Sequence, residues 1–192
     1  MANVDILVNS AGISLSNILA RASPDDISQT LQTNLQGAIL TSRAMLRACI
    51  RAKGNTQNRC IINISSLLAA KGVAGTVAYS ASKAGLLGLT SSMAVEAGEM
   101  LRGREMVLRS NAIVPGYIQT PMVESTYTPK MLAKSELMGI DFSKDYIDSL
   151  HMRIPLNRFG DPREVADAAV FLANNEYANN CILNLDGGLS AA

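Results

Sequence analysis

Tyr79 and Lys83 stand four positions apart in the run Tyr-Ser-Ala-Ser-Lys, and Ser66 closes the run Ile61-Ile62-Asn63-Ile64-Ser65-Ser66 thirteen positions before the tyrosine. On an α-helix four residues rise about 6 Å, a little over one turn, so the phenol and the amine share a face. A phenol titrates near pH 10, and a neighbouring ammonium favours the phenolate, which brings the proton within reach near neutral pH. That makes Tyr79 a candidate general acid and Ser66 a second hydroxyl for the same reacting oxygen. The tyrosine-lysine spacing alone also describes a solvated tyrosine beside a surface lysine; the serine pair at a strand end is what adds to it.

The elements that must position these groups can be read around them. Val4-Asp5-Ile6-Leu7-Val8 is a short apolar run of the kind expected for a buried parallel strand, followed at once by Asn9-Ser10-Ala11-Gly12, small residues that let a ligand approach the backbone. Ser23-Pro24-Asp25-Asp26 predicts a helix start, and a long helix is expected from near Leu31 to Ala52, interrupted in propensity by Asn34 and Gly37. A mid-helix asparagine there is a surface residue, a kink or the holder of a water. Cys60 to Ile64 is the next strand and Val77 to about Met100 the helix that carries Tyr79 and Lys83. Its small residues, Ala81, Ala84, Gly85, Gly88, Ala94 and Ala97, suit close packing on a sheet or in a subunit interface. Val107 to Val114 is a third strand, halted by Pro115-Gly116, and Cys181 to Leu185 a last one. Asp161-Pro162-Arg163-Glu164 starts the helix between them, and Tyr117 to Ile154 is polar, methionine-rich and weakly periodic, as expected of a mobile segment over a binding site. Strands alternating with helices predict one α/β domain over 1–192 with a parallel sheet.

Composition removes several alternatives. The 192 residues carry a formal charge of +1 and 17% charged residues, so no charge excess points to nucleic acid or a membrane surface. No run of eighteen apolar residues is present, and the start, which lacks both a basic region and a long apolar run, reads as the inside of a fold and not as a signal peptide. Cys49, Cys60 and Cys181 form no Cys-x-x-Cys pair and are expected as reduced, mostly buried thiols. His151 is the one histidine, expected on the surface or in a loop, which argues against a His-based metal site or a Ser-His-Asp triad; no metal is expected.

With these residues placed, the chain resembles the short-chain dehydrogenase/reductase family over essentially its whole length. Asn9-Ser10-Ala11-Gly12, Asn34, Ser66, Tyr79-x-x-x-Lys83, Pro115-Gly116 with Thr120, and the closing Leu-Asn-Leu-Asp-Gly-Gly occur in the family's order. Ala78 to Gly85 and Ile154-Pro155-Leu156-Asn157-Arg158-Phe159-Gly160 are most like the 3-oxoacyl-acyl-carrier-protein reductases and the related carbonyl reductases. The resemblance implies a Rossmann-type doubly wound parallel sheet and an NADP-dependent, or alternatively NAD-dependent, reduction of a carbonyl. The substrate class is a 3-oxoacyl thioester or a similar small molecule, as in fatty acid biosynthesis.

The resemblance also implies roles. Tyr79 would protonate the carbonyl oxygen, Ser66 would hydrogen-bond it, Lys83 would lower the tyrosine's pKa and bind the nicotinamide ribose, and Asn34 would hold a water in a proton relay. Pro115, Gly116, Ile118 and Thr120 would line the nicotinamide side, and Asn9, Ala11 and Gly12 the adenosine portion. Ser66 is chosen over Ser65 by the family's interval and because strand alternation points the two apart. A homo-oligomer, dimer or tetramer, or a hetero-oligomer with a related reductase is implied, in the cytoplasm or alternatively the mitochondrial matrix, with 117–154 as the substrate loop.

Two departures carry consequences. The family's opening strand and glycine-rich Thr-Gly-x-x-x-Gly-x-Gly turn, which receives the pyrophosphate, has no counterpart here, roughly seventy residues being absent. The reading therefore treats the fold as N-terminally truncated, whether by nature or because the sequence is incomplete, with an exposed apolar edge at the Val4-to-Val8 strand, poor solubility and weak cofactor binding. A catalytically silent subunit paired with a complete reductase is the alternative function. Where the family has Tyr-Ile-Thr-Gly, this chain has Tyr177-Ala178-Asn179-Asn180-Cys181, which bears on oligomer geometry.

Overall fold

The computed structural model describes residues 4–15, 17–52, 58–123 and 142–191, the side chains of 142–146 excepted. Four parallel strands, β1 (Ile6–Asn9), β2 (Arg59–Ile64), β3 (Leu108–Pro115) and β4 (Ile182–Leu185), lie side by side in sequence order. Their register pairs Leu7 with Ile61, Ile61 with Ser110 and Ala112 with Ile182. Because every strand runs the same way, the segments that follow them, Ser10 to Ile13, Ser65-Ser66, Gly116 and Asp186, all emerge at one edge of the sheet.

Alternation along β2 sorts the core. Ile61 faces Met45, Leu46 and Cys49 of α2 (Gly37–Arg51) and Met93 and Ala97 of α3 (Val77–Met100). Cys60 and Ile62 face the other way, toward Ala168 and Leu172 of α5 (Pro162–Asn174). The central strands are covered on both faces, as parallel strands require, while the edges are open: Ile6 is 51% and Val8 43% exposed on β1, and Ile182 44% on β4. Before α2 comes α1 (Pro24–Leu31), whose Ser23 hydroxyl accepts from the Asp26 amide at 3.0 Å, as its sequence predicts. The start of α5 is a capping box of Asp161 and Glu164.

The structure differs from the sequence reading in places that matter. The helix expected from Leu31 is continuous with α1 through a π-helical turn at Gln32–Gln36, closed by the Gly37 amide on the Gln32 carbonyl, and Asn34 is 1% exposed within it. β3 ends at Pro115-Gly116 as expected, Pro115 being its last residue and paired with Leu185. Of the segment expected to be mobile, 124–141 lies outside the described residues, whereas α4 (Phe142–Met152) is regular helix and Leu150 and Ile154 are buried. His151 is neither loop nor plain surface: it sits half-buried in the last turn of α4, edge-on to Phe159 at 4.4 Å. The cysteines are free, with Cys49 and Cys60 buried and Cys181 half-buried. On α3 the small residues divide: a Cβ at Gly85 would strike Leu35, while Gly88 meets nothing within 4 Å.

Candidate active site

The carboxyl edge of the sheet brings Ser66, Tyr79, Lys83 and Asn34 into one hydrogen-bonded cluster. Ser66 caps a short 3-10 turn, its hydroxyl accepting from the Leu68 amide at 3.2 Å, and that hydroxyl acts on the Tyr79 phenol to draw its pKa down. Ser65 is turned the opposite way, 3% exposed, and donates to the Lys83 carbonyl at 2.8 Å. The strand's alternation therefore leaves Ser66 as the serine beside the phenol. Lys83 is 5% exposed; its Nζ donates to the Ile64 carbonyl at 2.9 Å and lies 5.6 Å from the centre of the Tyr79 ring.

The electrostatics differ from the sequence expectation. Burial pushes the Tyr79 phenol above its ordinary value, and the Ser66 hydroxyl, which acts the other way, offsets this only in part. Lys83 is not what lowers it: the amine is itself drawn down to about 8 by burial. Spacing shows that two side chains share a face, but it does not show how much water reaches them.

Asn34 is committed to the protein. Its carbonyl oxygen accepts from the Ile13 amide at 2.8 Å, and its Nδ2 donates to the Ile13 carbonyl at 2.9 Å and to the Ser82 hydroxyl at 3.1 Å. The side chain clamps the segment after β1 to the catalytic helix, with both amide hydrogens in use. Asn9 is also spent internally, donating to Asn63 at 2.8 Å and Ser42 at 3.3 Å and accepting from Thr41 at 2.7 Å. Both of its amide hydrogens are thus in use. Gly12, assigned to the same adenosine portion, instead lies against the cluster: a Cβ there would meet Lys83 Nζ at 3.4 Å and Asn34 Oδ1 at 3.5 Å. Ala11 precedes it in the same crossing of the strand ends.

On the far side of the cluster, the Gly116 amide binds the Leu185 carbonyl at 3.0 Å, and a Cβ on Gly116 would come within 2.9 Å of the Asp186 backbone, so only glycine fits. Ile118 pairs with Gly160, and the Thr120 hydroxyl bonds the Ile118 carbonyl at 3.3 Å. Sequence reasoning missed Ile13, whose backbone is the clamp's counterpart, and Ser82, whose small polar side chain carries no chemical signal by itself. A groove of about 610 Å³ along α2 is lined by Leu40, Arg43, Ala44, Arg47, Ala48, Arg51 and Ala52, but it holds no nucleophile or acid and does not include the cluster. Among the described residues no group of His, Cys, Asp and Glu could hold a metal, and no helix is long and apolar enough to cross a membrane.

A parallel sheet flanked on both faces, with a serine, a half-buried tyrosine and a buried lysine at its carboxyl edge, defines the class: a doubly wound α/β protein built for chemistry at its strand ends. The family model described as enoyl-(acyl carrier protein) reductase matches residues 1–190. Carbonyl reductase family member 4 of Xenopus tropicalis is 37% identical over 189 residues, which are 98% of this chain and 68% of that protein. The 3-oxoacyl-[acyl-carrier-protein] reductase of Bos taurus is 36% identical over 190 residues with the same coverage. The crystal structure of a gluconate 5-dehydrogenase from Burkholderia cenocepacia J2315 with NADP and tartrate superimposes with a TM-score of 0.79 at 28% identity, covering 98% of this chain and 65% of that one. The chain belongs to the short-chain dehydrogenase/reductase family of oxidoreductases, and it spans about two thirds of the length of these relatives.

Proposed function

We propose that this protein reduces a carbonyl, a 3-oxoacyl thioester by preference, to the hydroxyl with NADPH, NADH being the alternative donor, and that Tyr79 is the acid. The observation that carries the reading is the Lys83 amine 5.6 Å from the centre of the Tyr79 ring, with the Ser66 hydroxyl acting on that phenol, all at the strand ends. The residues present fit one end of a dinucleotide. Lys83 has three N–H donors and spends one on Ile64, and the missing Cβ at Gly12 leaves the backbone beside it open to close approach. Pro115, Gly116, Ile118 and Thr120 would flank the nicotinamide. Within these 192 residues, no glycine-rich turn joins a strand to a helix to receive the phosphates.

A bound nicotinamide supplies the hydride. Ser66 donates a hydrogen bond to the substrate oxygen and strengthens it as negative charge develops there. Tyr79 then delivers its phenolic proton to that oxygen. The raised phenol keeps this proton at neutral pH, and transfer remains downhill because an alkoxide is a stronger base than a phenolate. Lys83 holds the ribose hydroxyls, and Asn34 holds Gly12 and Ile13 against the helix. The substrate loop is assigned to 117–154.

Tyr79→Phe tests the assignment. Turnover of acetoacetyl thioester with NADPH should fall by about a hundredfold or more, with cofactor affinity little changed; a variant that keeps its rate would show that another group is the acid. A second reading, a silent subunit that pairs with a complete reductase, is favoured by the open β1 edge with Ile6 and Val8 exposed. Absence of turnover in the wild-type chain, together with co-purification of a related reductase, would select it.

A further inference from the structure

We infer that Ser65 and Ser82 are positioning residues that set the distance between Ser66 and the Tyr79 phenol, a role that rests on the reductase reading of that pair. Two consecutive residues at the end of β2 are tied to α3, and the next one is Ser66. The Ile64 carbonyl accepts from Lys83 Nζ at 2.9 Å and the Ser65 hydroxyl donates to the Lys83 carbonyl at 2.8 Å. Of these ties, the Ser65 bond joins strand to helix backbone, so it fixes where Ser66 stands whatever the long side chains of Lys83 and Tyr79 do. Ser82 supplies the counterpart at the helix start. Its hydroxyl, 0% exposed, donates to the Tyr79 carbonyl at 2.6 Å and accepts from Asn34 Nδ2 at 3.1 Å.

A buried serine commonly bonds a carbonyl one turn back, and Ser82 on Tyr79 alone would be only that. Its second bond crosses 48 positions of sequence to Asn34, which in turn grips both backbone groups of Ile13. The Tyr79 main chain is thereby referenced to the π-helical turn and to the wall formed by Gly12 and Ile13. The two serines thus fix the two hydroxyl-bearing residues of the cluster from opposite sides: Ser65 fixes the strand that carries Ser66, and Ser82 fixes the turn that carries Tyr79.

The test reads the phenol directly, without turnover. Tyrosine ring carbons are labelled and titrated by NMR in the folded chain, with Tyr79→Phe identifying its signal among the five tyrosines. Ser66→Ala removes the hydroxyl that lowers the phenol, so the Tyr79 titration moves up. Ser65→Ala should move it the same way by a smaller amount, Ser65→Thr should restore it, and Ser65→Ala added to Ser66→Ala should produce no further shift, because the serine acts through its neighbour. Ser82→Ala should likewise raise it. If Ser82→Ala does not fold, the Ser65–Ser66 cycle decides. A folded Ser65→Ala protein with an unmoved phenol, or with the same shift whether or not Ser66 is present, overturns the proposal. Retention of turnover by Tyr79→Phe would instead overturn the reductase reading and leave these shifts standing.

Discussion

The Lys83 amine has a carbonyl and an aromatic ring for neighbours and no carboxylate ion-paired with it among the described residues, so the folded state is strained by its charge. Its value of about 8 stands below the ordinary 10.5 because of burial. Between those two values the unfolded chain holds a proton on this lysine that the folded chain has lost, so stability rises with pH across that window, and below about 8 the full penalty remains. A shift of that size corresponds to on the order of 3 kcal/mol, an upper bound because the Ile64 bond is lost with the amine. Lys83→Met should therefore be more stable than wild type in urea at pH 7, by up to about that amount, and should lose the rise in stability above pH 8. Destabilisation at pH 7 would show that the Ile64 bond outweighs the buried charge. At this scale residue types were legible and environments were not: the sequence showed a phenol and an amine on one face, while the depth of burial, which decides both titrations, depends on the sheet and helices packed around them.

Elements whose signal is local were readable, and those whose signal is an exception to periodicity were not. Ser23-Pro24 and Asp161-Pro162 mark their helix starts because the caps are made within one turn. The π-helical turn at Gln32–Gln36 escaped because the apolar spacing on either side fits an ordinary helix, and only the distant Ile13 and Ser82 give Asn34 its reason to be buried. α4 escaped because its composition is polar and Leu150 is the single buried side chain among its described ones. Arg109 illustrates the same limit from the opposite end of the sheet. It is 2% exposed and donates to the carbonyls of Leu172, Ala173 and Ala178, holding the carboxyl end of α5, where the helix dipole favours a cation. Arg109→Met would leave those carbonyls without their donor and should cost roughly 3 kcal/mol or more. Hydrogen exchange should quicken in the last turn of α5, while the Tyr79 titration, at the far edge of the sheet, should not move. A variant with native exchange in that turn would mean that the clamp is dispensable.

For the molecule as a whole, β1 is one exposed border of a sheet whose central strands, β2 and β3, are covered. Ile6 and Val8 project from the same face, opposite to Leu7, which packs on the α2 and α3 side, so half of this strand's apolar surface meets water along with its unpaired backbone edge. Parallel strands are normally buried on both faces, and relatives half as long again as this chain have further sequence to offer. Such an edge recruits another strand wherever one is available. The 192-residue chain should accordingly self-associate through β1 in a concentration-dependent way, with average mass in sedimentation velocity falling over a tenfold dilution series. Ile6→Lys combined with Val8→Lys places charges on the face and should weaken that association by about tenfold or more, since burying each aliphatic side chain contributes roughly 2 kcal/mol. Neither side chain belongs to the active-site cluster, so the phenol titration of Tyr79 should survive the change. Association that persists unaltered in the double variant would place the contact on another surface, such as the exposed small-residue side of α3, and a wild-type chain that remains monomeric at every concentration would show that β1 is not adhesive.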